Sequence, residues 1–254
     1  MATWTDEVAA DSPIAWWRLG DAGGVTAVAA VGPNGTYVNT PTLGVAGLVD
    51  GDTAVRFDRA SAEYMDVPTS MPAGSSVGIS VEFGLSITND PGFDQSLRLF
   101  SWGAIATTPH HLLVLRHFDA ATWMWTWYFS DGTARSLNAT SSGPLIPTNG
   151  TPHHVVVTHD YAAKMILIYV GGALQKSVNA SAFGVPAAIT AGVAARWAAY
   201  MGNTLSTHGG MMDEGLVYGS VLSAGRVAAH WNAIRRGGNM ARRALQAVNR
   251  ASSF

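Results

Sequence analysis

Trp123, Trp125 and Trp127 stand at every second position of the run Trp123-Met-Trp-Thr-Trp-Tyr-Phe129. On a strand, alternate side chains share one face, so the three indoles form one row and Met124, Thr126 and Tyr128 form the other. Indole faces stack on sugar rings, and Trp and Tyr are enriched where proteins meet partners. Trp123, Trp125, Trp127 and Tyr128 are therefore candidate glycan or partner contacts. The competing reading is that the indole row fills a core.

Hydrolytic chemistry has weaker support. A retaining glycosidase needs two carboxyl groups about 5–5.5 Å apart. The four glutamates, Glu7, Glu63, Glu82 and Glu214, are scattered along the chain. His110-His111, His117 and the pair His153-His154 flank apolar runs, with no nucleophile or acid at a telling spacing. There is no Gly-x-Ser-x-Gly elbow. The expectation is a protein that is not an enzyme.

The elements that must position these residues are strands. Val77–Ile87 has apolar residues at six alternate positions, which predicts a long strand with one face buried and Ser80, Glu82 and Ser86 on the other. Ile14–Leu19, Thr36–Val38, Ala54–Asp58, Tyr64–Val67, Leu97–Trp102, Leu112–His117, Trp123–Ser130, His153–His159, Met165–Val170 and Gly215–Tyr218 read as further strands. Turn signals recur at Asn89–Gly92, Ser130–Gly132, Pro147–Gly150, Gly171-Gly172 and Gly209-Gly210. Residues 2–10 read as a short helical turn, and Gly20–Gly35 as loop. Ser223 can cap a helix that buries Val227, Trp231 and Ile234 and stops at Gly237. Beyond it, Asn239–Ala251 places Met240, Ala244, Leu245 and Val248 on one side of a second helix. So short a helix is marginal alone and must dock, either on its own domain or on a neighbour.

Four segments in order carry a family resemblance. They are Ser12–Gly20 (SPIAWWRLG), Thr42–Asp58 (TLGVAGLVDGDTAVRFD), His153–Leu174 (HHVVVTHDYAAKMILIYVGGAL) and Gly210–Ala233 (GMMDEGLVYGSVLSAGRVAAHWNA). Together they resemble laminin-G-like domains of the concanavalin A-like lectin/glucanase superfamily over most of residues 4–234. The resemblance implies an all-β, two-sheet antiparallel jelly-roll sandwich over residues 1–234, followed by a basic helical tail over 235–254. It also implies a recognition or structural module that can bind carbohydrate. His153 and His154 would pack and cap their strand. Family members that bind calcium do so at the sheet rim. Asp213 matches the motif aspartate and Asp21 is a candidate second ligand, so calcium is a candidate cofactor. The alternative is that the Asp213–Glu214 pair is structural and pins the N-terminal loop.

Composition narrows the setting. Of 254 residues, 48% are hydrophobic and 13% charged, with no cysteine, so neither a disulfide nor a thiolate metal site exists. Arg235, Arg236, Arg242, Arg243 and Arg250 leave a net −7 on the rest of the chain. That is not the charge distribution of a nucleic-acid-binding domain. No segment approaches the ~20 apolar residues of a membrane span. The N-terminus lacks a signal-peptide pattern. These features, with the opening and closing motifs, resemble minor tail or other virion proteins of phages infecting high-GC Gram-positive (actinobacterial) hosts. The expectations are a virion component made in the host cytoplasm and docked by Arg235, Arg236, Arg242, Arg243 and Leu245. Its partners would be other virion proteins, a second copy in a homo-oligomer, and a cell-surface polysaccharide. The alternative is a carbohydrate-binding module of a bacterial secreted or surface protein.

Overall fold

The computed structural model describes residues 2–49, 52–68, 71–88, 92, 95–103, 110–119, 121–186, 188–189, 191–201 and 208–251, with backbone alone from 238 onward. Among these residues the chain forms two antiparallel sheets and two helices. The first sheet runs β15 (Ala173–Asn179), β14 (Met165–Val170), β13 (His153–Asp160), β8 (Gly78–Leu85), β17 (Gly210–Tyr218), β1 (Ala15–Trp17), β3 (Ala29–Val31). The hairpin β5 (Thr42–Ala46)–β6 (Thr53–Phe57) joins it through β17. The second sheet runs β12 (Ala134–Ser141), β11 (Thr122–Ser130), β10 (His111–Asp119), β9 (Gln95–Trp102), β16 (Ala195–Trp197), β7 (Tyr64–Val67), β4 (Gly35–Val38), β2 (Thr26–Ala27). Stacked face to face, they form the expected jelly-roll sandwich.

Two cores hold it together. The larger lies between the sheets and contains Trp17, Phe83, Trp102, Trp125, Trp127 and Trp197 among many aliphatic side chains. The smaller lies outside the first sheet, where α1 (Trp4–Ala10) and α2 (Ala224–Ala251) pack Trp4, Val8, Val227 and Ile234 onto Trp16, Val156 and Tyr218. Alternation along β1 therefore buries Trp17 inside the sandwich and Trp16 beneath the helices. This changes the reading of β8. Its polar row was expected on an open face, but Ser80, Glu82 and Ser86 are all buried. The two helices cover that side of the sheet.

Local chemistry sets the helix ends. Thr3 caps α1 in a reciprocal box with Asp6. The Ser223 hydroxyl accepts the Arg226 N–H at 3.3 Å, as expected of an N-cap. The break expected at Gly237-Gly238 does not occur: α2 runs unbroken to Ala251 and crosses the 234/235 boundary as one helix. Neighbouring helical turns make the backbone hydrogen bonds, so two glycines lower helix propensity without stopping it. Gly172, at φ +75° in the β14–β15 turn, lets Trp231 lie on the turn; a Cβ there would sit 2.7 Å from the indole. Three strands, β12, β15 and β16, carry too little apolar alternation to stand out in the sequence. The stretch read as loop, Gly20–Gly35, contains β2 and β3. Of the turn signals, Asn89–Pro91 lies outside the described residues.

Candidate binding surface

The indole row of β11 faces inward. Trp123, Trp125 and Trp127 are 4%, 1% and 2% exposed and belong to the inter-sheet core. His117 stacks on Trp123 with ring centroids 4.4 Å apart, and Trp127 Nε1 donates to His159 Nδ1 at 3.2 Å. The platform expected of these three residues is thus corrected: they fill the space between the sheets and offer no stacking face. The cause is the pleat, which sends one whole row inward where the apolar volume is needed. Tyr128, on the opposite row, stays half-exposed on the outer face of the second sheet.

That outer face is where chemistry is available. Cross-strand register aligns Tyr128 with Leu112, Leu112 with Ser101, Ser101 with Arg196, and Arg196 with Asp66. The next row runs Asn138, Thr126, Val114 and Arg98. Thr126 Oγ1 donates to Asn138 Oδ1 at 2.8 Å. Arg196 Nε donates to Asp66 Oδ1 at 2.7 Å, its Nη1 donates to the Tyr200 carbonyl at 3.3 Å, and its guanidinium lies 4.7 Å from the Tyr64 ring centroid. The Arg98 guanidinium lies 6.0 Å from the Tyr200 ring centroid, with Tyr128 close enough to act on it electrostatically. Three half-exposed tyrosines and two arginines therefore share one sheet face. Sequence reading found Tyr128 but not Arg98, Arg196, Tyr64 or Tyr200, because only the register brings those strands side by side.

The acidic pair has a structural job. Asp213 and Glu214 sit on a bulge of β17, with Glu214 at φ +49°. Asp213 Oδ2 accepts the Leu48 N–H at 2.6 Å, which fastens the loop after β5. Glu214 accepts from Trp16 Nε1 at 2.6 Å and from Arg18 Nε at 3.2 Å, and Arg18 also pairs with Asp52. Burial pushes both carboxyls up, each neighbouring charge adding to the rise, while Arg18 and the N–H donors oppose it. Asp21 accepts from the Tyr37 hydroxyl at 2.7 Å and from Val28 N at 3.3 Å. Calcium needs six to eight oxygens around one point. Here Arg18 fills the space between two of the carboxylates. Among the described residues no three histidine or acidic groups converge to hold a metal ion. Asp21 and Asp213 do not fit the calcium site expected of them, and the structural alternative describes the pair.

A buried polar network went unread in the sequence. Glu82 Oε1 lies 2.6 Å from His154 Nε2, both its oxygens lie 3.0 Å from His230 Nδ1, and Tyr218 donates to Oε2 at 2.8 Å. His230 Nε2 reaches Asp11 at 2.8 Å, and Asp11 takes the Arg226 guanidinium at 2.9 Å. The members come from β8, β13, β17, α2 and the end of α1. His154 was expected to pack at its strand, and it does so against Trp4 and Trp231. Of the expected docking residues, Arg235 is exposed and Arg236 donates to the Ala2 carbonyl at 3.3 Å. The side chains of Arg242, Arg243 and Leu245 lie outside the described residues.

Two stacked antiparallel sheets, one backed by helices and one presenting a tyrosine- and arginine-bearing face, define a lectin-type jelly-roll sandwich. The chain belongs to the concanavalin A-like lectin/glucanases superfamily, whose laminin-G-type family model matches residues 59–228. No curated protein matches the sequence. Among solved structures, the botulinum neurotoxin serotype D binding domain is similar, with a TM-score of 0.62 and 11% identity over 89% of this chain and 52% of that one. The receptor-binding domain of the mosaic serotype C/D toxin gives 0.60 and 14% over 87% and 51%. A Trypanosoma rangeli sialidase gives 0.55 and 11% over 86% and 32%. The chain spans about half the length of the toxin domains. At these identities the likeness is one of fold.

Proposed function

We propose that this protein is a non-enzymatic recognition module that binds a polysaccharide on the outer face of its second sheet. The observation that carries this reading is the grouping of Tyr64, Tyr128 and Tyr200 with Arg98 and Arg196 on that face. Phenol rings give a sugar an apolar face to stack on, and guanidinium and hydroxyl groups bond its oxygens. Glutamate engagement supports the non-catalytic part. Glu82 and Glu214 are buried in the pairs described, Glu63 accepts the Asp58 N–H at 2.7 Å, and Glu7 pairs with Arg226 at 2.9 Å. The toxin neighbours are named as binding or receptor-binding domains, one of them in complex with N-acetylneuraminic acid, which accords with a binding role.

The setting proposed is a phage virion, as a minor tail or decoration protein that adheres to host-surface glycans. Its support is the cysteine-free, charge-poor body with a basic C-terminal helix. Two measurements test the proposal. A glycan array with the purified chain tests binding; loss of binding in Tyr128→Ala with folding intact supports the face, and turnover of any polysaccharide overturns the non-catalytic reading. Mass spectrometry of particles from the source tests the setting. Stoichiometric presence supports a virion role, and presence in the medium alone favours a secreted carbohydrate-binding module.

A further inference from the structure

Arg98 is the one residue of the tyrosine-bearing face whose placement calls for a ligand of definite charge. It lies on β9 between Leu97 and Leu99, both fully buried in the inter-sheet core. The β9–β10 ladder slips here: Phe100 pairs with Leu113, and the next pair, Val114, is with Arg98. Leu99 is skipped. A bulge of this kind re-aims the side chain beside it, and it puts Arg98 in the outer row with Val114, Thr126 and Asn138.

Two donors of this guanidinium, Nε and Nη1, are buried and have no hydrogen-bond partner. A buried unpaired donor costs ~1–3 kcal/mol, and more when it is charged. The groups that act on Arg98 electrostatically are the Tyr128 and Tyr200 phenols and another cation, Arg59. None of the three neutralises it. Arg196, on the adjacent strand, differs: Asp66 satisfies it. The paired arginine and the unpaired one thus stand on one face, and only the second can take an anion without breaking an ion pair. A guanidinium offers two parallel N–H donors that match a carboxylate or a phosphate.

We propose that Arg98 is an anion-binding subsite and that the polymer recognised on this face carries carboxylate or phosphodiester groups. This rests on the polysaccharide reading above. An acidic sugar unit stacks between the two tyrosines while its charge meets Nε and Nη1.

The test is calorimetric titration of the full chain with three polymers: a polyuronate, a polyglycerol phosphate and a neutral dextran. Arg98→Gln is compared with Arg56→Gln, which removes the same charge from an exposed position. Thermal unfolding confirms that both variants fold. The expected result is preference for one acidic polymer, lost at least tenfold in Arg98→Gln and kept in Arg56→Gln. Which acidic polymer binds separates the carboxylate source from the phosphate source. If neutral and acidic polymers bind alike and Arg98→Gln changes nothing, the anion subsite is overturned while the polysaccharide reading stands. If no polymer binds, NMR of the Arg98 Nε–H group during titration with glucuronate and with inorganic phosphate decides. A saturable shift upholds the subsite and removes the polysaccharide reading; no shift overturns both.

Discussion

His230 and Glu82 meet in the interior with the imidazole Nδ1 3.0 Å from each carboxylate oxygen, while the other ring nitrogen faces Asp11 at 2.8 Å. An imidazole with carboxylates at both nitrogens donates from both only as the cation. Burial works against that charge, but the hydrogen bond and charge of Glu82, joined by Asp11, prevail and raise the His230 pKa. For Glu82, burial is likewise outweighed by His154 and His230, and the carboxyl falls to about 2. The helix α2 is clamped to the sheet through this pair. His154, Tyr218, Arg226 and Glu7 complete the charged and titratable surroundings.

The clamp has a pH sign. A raised histidine pKa contributes stability that is full below about 6.5 and lost as pH rises through the folded value. His230→Gln is expected to cost about 3–5 kcal/mol near pH 6, because it leaves Glu82 and Asp11 short of a cation. It is also expected to flatten the alkaline loss seen in the wild type. Urea unfolding from pH 6 to 9 reads both effects. An equally steep loss in the variant would assign the slope elsewhere.

Acid should weaken the fold by a separate route. Burial holds His159 and His208 down at about 4 and His111 well below its usual range. These groups stay neutral inside but take protons in the unfolded chain below about 6.5. Stability therefore falls as pH drops from 6.5 to about 4, by up to about 3 kcal/mol for each strongly shifted group. His208→Leu, of similar volume, should flatten this acid limb in a pH series of thermal melts. An unchanged limb would show that His208 takes no part.

The Asp213–Glu214 pair predicts a gain on the alkaline side. A buried carboxyl with a raised pKa contributes stability that is lost as pH rises through its folded value. Asp213→Asn keeps an oxygen for the Leu48 N–H and cannot ionise. Relative to wild type, the variant should be more stable above pH 8 and close to equal near pH 4. Differential scanning calorimetry at the two pH values checks this, and a variant destabilised at both would mean that the carboxylate itself is needed.

Core and surface aromatics of one strand should separate cleanly. Trp125→Ala removes a side chain from the inter-sheet core and should cost about 3–5 kcal/mol. Tyr128→Ala, on the half-exposed row, should cost less than about 1 kcal/mol and remove polysaccharide affinity. Chemical denaturation and glycan binding measured on both variants would reveal a misplaced face if the effects were exchanged.

The sequence by itself determined the sandwich and its closing helix. Strict alternation in β8, the Trp-x-Trp-x-Trp run of β11 and the Ser223 cap are local signals, and each names an element from its own residues. Alternation states that two faces differ, but not which one is inward. The indole row was therefore legible as a row and not as core. Glu82 looked like a solvent-facing residue because nothing near it in sequence announces that α1 and α2 cover that side. The network of Asp11, Glu82, His154 and His230 draws on positions up to 219 residues apart. Arg98 gains its place from a single skipped residue in a cross-strand ladder. Only tertiary structure decided these points, because burial and cross-strand register arise from how distant segments divide the same interior.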